Sequence, residues 1–240
     1  MQIAGIQTLS TLDYKDKLSA VIFTLGCNFR CKFCHNPQFV TDKDTSELEK
    51  HLIPSKRVLN FLDTRRNFLD GVVISGGEPT LQKDLETFIT KIRSIKKDNH
   101  KNLLIKLDTN GTNPQVLQQL LKKELLDFVS LDIKASEKNY QKITNSPDRF
   151  AQIIFSRDLL LKSKITHEFR TTVVPTFHDE AEMHRIAKFA KGAQLFTIQN
   201  FRNTKVLDPA LSKYTGFTKE KLGQFKTICK QYIPCVRVFY

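Results

Sequence analysis

The sequence predicts an α/β chain in which a parallel sheet is covered by helices. Two observations carry that expectation. Short runs rich in β-branched and aromatic residues recur at residues 20–25, 71–75, 102–108, 127–133, 166–174 and 194–200. Between them lie segments whose apolar residues repeat at helical spacing, joined by short connections. Six such alternations fit an open sheet or one curled into a barrel, and periodicity does not choose between the two.

The helices follow from their apolar faces and their start signals. Residues 54–69 read as one helix. Leu81, Leu85, Phe88, Ile89 and Ile92 form one face of the next, with Pro79 and Thr80 ahead of it. Leu117, Leu120, Leu121 and Leu125 form another face after Asn113-Pro114, and residues 146–161 also read as helix. Met183, Ile186, Ala187 and Ala190 share a further face. The tail adds a helix at 219–231, with Leu222, Phe225 and Ile228 on one side, and a last strand at 235–239. No internal repeat and no Gly/Ser-rich or Pro-rich linker interrupts the chain. A single domain over residues 1–240 is expected, with a core at about 18–205 and a helix–strand extension at 206–240.

Composition narrows the class. Forty per cent hydrophobic residues, eighteen of them Phe, argue against disorder, and nine Gly and eight Pro exclude a collagen-like or low-complexity chain. No apolar run of about eighteen residues occurs, so no membrane span is expected. Residues 1–17 lack a basic stretch followed by an apolar block, and the chain reads as cytosolic. Lys plus Arg is 38 against 25 Asp plus Glu, a net charge of +13. Such a balance suits nucleic acid, an acidic partner or an anionic substrate. Here the basic residues (Lys56, Arg57, Arg65, Arg66, Lys96, Lys97, Lys122, Lys123) are spread along the chain with acids between them. Net charge by itself discriminates weakly, and nucleic acid is not the favoured partner.

In parallel α/β sheets, binding and catalytic groups gather at the carboxyl ends of the strands. The first predicted strand runs into Cys27 and the second into Gly76-Gly77-Glu78-Pro79-Thr80. The third ends in Asp108-Thr109-Asn110-Gly111, the fourth in Asp132-Ile133-Lys134 and the sixth in Gln199-Asn200. Every unusual polar cluster thus falls at the same kind of strand end. Each has a bland reading too: Gly-Gly-Glu-Pro as a turn, Asp108 as turn chemistry, and Asp132 with Lys134 as an ion pair on one strand face.

Three of the five cysteines, Cys27, Cys31 and Cys34, fall within eight residues, a pattern that suits metal better than disulfides in a cytosolic chain. Cys31-x-x-Cys34-His35 matches the haem attachment pattern but leaves Cys27 unexplained. Zinc would find four donors if His35 joined the three thiols, although His35 directly follows Cys34. A redox dithiol again leaves Cys27 idle. A 4Fe–4S cluster on three thiolates leaves one iron without a protein ligand, open to a substrate. Cys229 and Cys235, near the C-terminus, read as core residues.

The motifs together resemble a known family. Cys-x3-Cys-x2-Cys after a first strand, with aromatic Phe33 before the third Cys, and a Gly-Gly-Glu loop after a second strand are similar to the radical S-adenosylmethionine (SAM) superfamily. Gly5-Ile6-Gln7, Asp13-Tyr14, Phe23 to Asn28, Cys34-His35-Asn36-Pro37, Ser75 to Thr80, Asp108 to Gly111 and Ser130 to Lys134 occur in order over residues 3–210. In this they resemble anaerobic ribonucleoside-triphosphate reductase activating proteins, relatives of pyruvate formate-lyase activating enzymes.

The resemblance implies a partial (β/α)6 TIM-like barrel with the C-terminal helix and strand added. It implies a 4Fe–4S cluster on Cys27, Cys31 and Cys34, with SAM chelating the open iron. An electron passed to the sulfonium would then release a 5′-deoxyadenosyl radical, which takes a hydrogen atom from a glycine Cα of a partner reductase. It assigns SAM contacts to Gly76, Gly77, Glu78, Asp108, Asp132 and Lys134, places Phe33 near adenine, and implies a flavodoxin or ferredoxin as electron donor. Gly76 and Gly77 lack Cβ and so allow close approach to a methionyl amine. Asp108 can accept from an ammonium, Asp132 from ribose hydroxyls, and Lys134 offers a point charge for a carboxylate. Gln199 and Arg202 are weaker candidates for the same ligand. The chain has no glycyl-radical segment of the Arg-Val-x-Gly-Tyr type, so the resemblance makes it the activator. Rival readings are the same chemistry on another glycyl-radical enzyme such as pyruvate formate-lyase, on a small molecule or on RNA, and a zinc or iron–sulfur binding module without catalysis.

Overall fold

The computed structural model describes residues 1–40 and 50–240. Eight strands lie among them: β1 (Ile3–Ser10), β2 (Ser19–Thr24), β3 (Gly71–Gly76), β4 (Leu104–Thr109), β5 (Phe128–Asp132), β6 (Thr166–Val173), β7 (Phe196–Asn200) and β8 (Val236–Phe239). Seven α-helices alternate with them: α1 (Ser55–Thr64), α2 (Leu85–Arg93), α3 (Pro114–Lys122), α4 (Glu137–Thr144), α5 (Phe150–Lys162), α6 (Glu180–Phe189) and α7 (Lys219–Lys230). The strands form an open sheet in sequence order, β1 to β8. β1 is antiparallel to β2, whereas β2–β3, β3–β4, β6–β7 and β7–β8 are parallel. This is the α/β class that the alternations predict, and all six predicted strands of that series are present.

The residues gather into two compact units that interleave along the chain. Met1–Asn28, Gln38–Thr109 and Gln115–Val129 make the first; Phe29–Pro37, Asn110–Pro114 and Ser130–Tyr240 make the second. In the first, Ala20, Val21 and Ile22 of β2 and Val72, Val73 and Ile74 of β3 are almost fully buried. Consecutive residues buried in this way mark strands covered on both faces, which is where parallel strands are stable. The predicted α2 face is buried as expected at Leu85, Phe88, Ile89 and Ile92. In the second unit, α6 buries Met183, Ile186 and Ala187, and α7 buries Leu222, Phe225 and Ile228.

Two elements escape the sequence pattern. β1 is an antiparallel strand whose register shifts between Ile3 and Gly5 and again between Gln7 and Ser10. Each shift breaks the period of two by which a strand is recognised. The helix expected at 146–161 starts later, as α5, and a separate helix that the pattern did not predict, α4, precedes it. Asn145 adopts a left-handed φ of 47°, and Pro147 disfavours helical geometry at Ser146, so α4 ends at Thr144 and α5 begins at Phe150. Residues 54–69 likewise shorten to α1, which gives way to turns after Thr64. Cys235, read from the sequence as core, is exposed ahead of β8. Cys229 is fully buried in α7, and burial pushes its thiol up to about 12. No described helix is long and apolar enough to cross a membrane.

A buried polar layer ties the second unit together. Glu168 of β6 is 3% exposed. It accepts from Ser130 Oγ of β5 at 2.6 Å, from Thr197 Oγ1 of β7 at 2.7 Å and from Arg237 Nη2 of β8 at 3.0 Å. One carboxylate therefore joins four strands. Removing it would leave Arg237 and two hydroxyls short of an acceptor. Glu168→Ala is expected to destabilise the protein by about 2–4 kcal/mol, a drop in Tm of about 10 °C for a chain of this size in a thermal melt.

Candidate active site

In the first unit, the strand-end polar residues are fixed by backbone contacts. Gly77 N–H donates to Thr24 O at 2.9 Å and Glu78 N–H to Gly26 O at 2.8 Å, so the loop after β3 is stitched to the segment leading into Cys27. Gly26 itself takes a φ of 92° and donates its N–H to Phe39 O at 2.9 Å. A Cβ on Gly76 would lie 2.2 Å from Thr24 N, and one on Gly77 2.0 Å from Gly26 O. The glycines are therefore required by the chain's own close approach. Cys27, at the end of this segment, is half-buried.

Glu78 and Asp108 sit in the same unit and are both buried. Glu78 Oε1 accepts from Thr80 N at 3.1 Å, Thr80 Oγ1 at 2.5 Å and Thr109 Oγ1 at 2.7 Å. Those bonds make it a brace between the β3 loop and the end of β4. Asp108 Oδ2 accepts from Ser75 Oγ at 3.2 Å, and its Oδ1 lies 3.1 Å from the ammonium of Lys106. Lys106, 3% exposed, also donates to Asp13 O at 2.5 Å. The ammonium that Asp108 accepts from in this structure is thus one of the chain's own.

In the second unit, Cys31 is buried and Cys34 half-buried on one tight turn, closed by Cys34 N–H donating to Cys31 O at 2.9 Å. Phe33 between them is 3% exposed. Asp208 N–H donates to Lys32 O at 2.9 Å, anchoring the turn from outside. Asp132 and Lys134 form the ion pair that their shared parity allows, at 2.8 Å. Arg170 Nε of β6 lies 2.5 Å from the other carboxylate oxygen. Burial opposes the Asp132 charge, yet Arg170 and Lys134 outweigh it and hold the carboxyl well below the usual range. Burial also works against the Lys134 ammonium, but Asp132 and Cys31 outweigh it and hold its pKa up.

Burial pushes the Cys34 thiol up, while a hydrogen bond to the backbone at Asn36 and the Lys134 charge pull it down. A cationic side chain beside thiols is what favours thiolate as a metal ligand. Among the described residues no three Cys, His, Asp or Glu side chains are grouped as ligands of a single ion. An iron–sulfur cluster makes a different demand, one thiolate per iron, and three thiols within eight residues fit it by chemistry. Gln199 accepts from Thr172 at 3.3 Å and Arg202 donates to Tyr240 O at 2.9 Å, so both are engaged within their own unit. Arg170 is the residue that sequence reading missed, because its partner lies 38 positions away.

Comparison with known proteins decides the family. Residues 21–190 match the radical SAM superfamily. The chain belongs to that superfamily. This radical SAM enzyme is 36% identical over 238 residues to a Methanocaldococcus jannaschii protein that carries the provisional name glycyl-radical enzyme activating enzyme; the match covers 98% of this chain and 94% of that one. A second protein of the same organism and the same provisional name is 28% identical, over 77% of this chain and 66% of its own length. Among solved structures, Streptococcus suis SuiB bound to S-adenosylmethionine superposes with a TM-score of 0.64 at 15% identity. The match covers 92% of this chain and 50% of SuiB, so the chain spans about half the length of that neighbour and shares its fold. Membership implies a 4Fe–4S cluster and SAM, and the fold classes agree.

Two outcomes follow from the geometry. Gly77→Ala is expected to lower Tm by several degrees in a melt of the cofactor-free protein, because its Cβ would collide with the Gly26 carbonyl. His178 offers a pH test. Burial lowers its pKa below the ordinary 6.5, so below that pH the unfolded chain takes up a proton that the folded chain resists. Stability should therefore fall as pH drops from 7.5 to 5.5, and His178→Gln should lose less over the same interval in urea unfolding.

Proposed function

We propose that the protein is a radical SAM activase that generates a glycyl radical on an anaerobic ribonucleoside-triphosphate reductase. The observation that carries the activase reading is the correspondence, over nearly the whole of both chains, to a protein named for glycyl-radical activation. The reductase as target rests on the ordered motifs from Gly5 to Lys134, which resemble the reductase-activating group. A flavodoxin or ferredoxin in the cytoplasm is the electron source in this reading.

Cys27, Cys31 and Cys34 would each hold one iron of the 4Fe–4S cluster, whose open iron, when occupied by SAM, supplies the one-electron cleavage on which the reaction depends. The chain's own residues bind and orient. Backbone at Gly76 and Gly77 meets the methionyl amine, with Glu78 bracing the loop from beneath. Asp108 accepts from that amine, Asp132 accepts from the ribose, and Lys134 with Arg170 faces the carboxylate or ribose. Phe33 lies against adenine and keeps water from it. Asp132, Lys134 and Asp108 are already paired with other side chains, so each contact with SAM exchanges an internal partner for an external one.

The test is anaerobic EPR on reconstituted protein with SAM, reductant and a candidate reductase, with 5′-deoxyadenosine assayed in the same tube. A glycyl-radical doublet on the reductase, lost with Cys31→Ala, is the expected result. Deoxyadenosine without the doublet would leave the superfamily chemistry standing and reject this reductase. Separately, Cys27→Ala, Cys31→Ala and Cys34→Ala should each reduce SAM cleavage at least about a thousandfold, while Cys229→Ala keeps it. Cleavage retained by any of the first three would overturn the ligand assignment.

A further inference from the structure

Glu182 is a buried carboxylate to which no role has yet been given. It occupies the third position of α6, where Asp179 caps the helix by accepting from Glu182 N at 2.7 Å. A glutamate there ordinarily folds back onto the N–H of its own cap residue. Glu182 instead reaches α4. Its Oε1 accepts from Ser136 N at 2.6 Å, and its Oε2 from Ser136 Oγ at 2.9 Å and Asn139 Nδ2 at 2.7 Å. Arg185 Nη2 lies 2.8 Å from Oε2 and supplies the counter-charge. Ser136 is the cap residue of α4 and makes no side-chain cap of its own; its N–H and hydroxyl are held instead by a residue of α6.

The consequence reaches both ends of α4. Ahead of it, Lys134 O is held by His178 Nε2 at 3.1 Å, and His178 Nδ1 accepts from Val174 N at 3.1 Å. The segment that carries Asp132 and Lys134 is thus clamped at residue 134 by His178 and at residue 136 by Glu182. At the far end of α4, Thr144 O accepts from Arg30 N at 2.8 Å, and the Tyr140 ring meets Phe29 edge-on at 5.8 Å between centroids. Arg30 and Phe29 immediately precede Cys31 on the cysteine turn. α4 is therefore a strut with the Asp132–Lys134 pair at one end and the Cys31–Cys34 turn at the other.

We infer that Glu182 is a positioning residue for SAM: by holding the cap residue of α4 it fixes the spacing between the Lys134 contact and the cysteine turn. The inference rests on the proposed roles of Asp132, Lys134 and the cysteines. A buried carboxylate is a costly way to stabilise a helix end when a serine or aspartate cap would serve locally. What it adds is direction, since three donors from Ser136 and Asn139 set the α4 axis. Partners that orient the groups around a metal site typically change affinity or activity by tenfold to a hundredfold when removed.

The experiment compares full-length, cluster-reconstituted wild type, Glu182→Ala and Glu182→Gln. Iron content, the SAM-induced change in the EPR spectrum of the reduced cluster, and the KM and kcat of SAM cleavage are read for each. Glu182→Ala is expected to keep its cluster but to need about tenfold more SAM for the spectral change, with KM raised more than kcat is lowered. Glu182→Gln, which keeps an acceptor for Ser136 N–H, should return to within about threefold of wild type. A folded Glu182→Ala protein with an unaltered SAM response overturns the inference, as does equal impairment in the Ala and Gln variants. Should Glu182→Ala not fold, Ser136→Ala removes only the hydroxyl and should raise the SAM requirement about threefold; no rise overturns the inference. Wild type that carries its cluster yet shows no SAM response overturns the underlying reading and the inference together.

Discussion

Asp132 is a half-buried carboxylate held between two cations, and much of the second unit's polar structure meets its charge. A buried charge without compensation would be expelled or neutralised. Here Lys134 answers from two positions along the chain and Arg170 from the neighbouring element β6. The arrangement leaves a net positive charge facing the cysteine turn, and that charge draws the Cys34 thiol toward thiolate against the effect of burial. One electrostatic requirement thus connects the end of β5 to the reactivity of a loop about a hundred residues earlier in sequence. The backbone beyond Lys134 is then fixed by groups from residues 174–182, so the charges do not wander.

The first unit meets a comparable demand by steric means. Gly76 and Gly77 are points where two backbones touch, and a side chain at either would collide with Thr24 or Gly26 and disturb the hydrogen bonds from Gly77 and Glu78. Hydroxyl groups complete the job: Thr80 and Thr109 saturate one oxygen of Glu78. Neutral donors suffice there because Glu78 serves as a brace. Asp108, whose partner is the Lys106 ammonium, keeps a full counter-charge within reach. The two acids look alike in sequence and differ in environment, and environment decides what each can do.

Much of this is legible in the sequence. Parallel strands buried on both faces announce themselves as apolar runs, and the polar residues that follow them stand out for that reason. What the sequence hid was hidden by known causes. β1 lost its alternation to two register shifts. α4 carries Lys138, Asn139, Gln141 and Lys142 among few apolar residues, so its short buried face of Tyr140 and Ile143 is faint in the pattern, and its cap residue is held by Glu182 on another helix. Arg170 and Glu182 act on partners 38 and 46 residues away, a distance that no local periodicity encodes. Gly76 and Gly77 read in the sequence as positions open to a methionyl amine; what each approaches in the structure is the chain's own backbone.

In each unit the charged side chains are already paired before any ligand arrives. Asp108, Asp132 and Lys134 each have an internal partner of opposite sign, so the folded chain never buries a lone charge there. An incoming ammonium, carboxylate or hydroxyl competes with an existing interaction, and the free energy it gains is the difference between two pairings of similar strength. In the proposed reading, affinity comes from several such exchanges made at once. Glu182 and His178 in the second unit and Glu78 in the first make the hydrogen bonds that hold such groups in place. The chain invests its buried polar groups in geometry, and the chemistry is left to what the geometry holds.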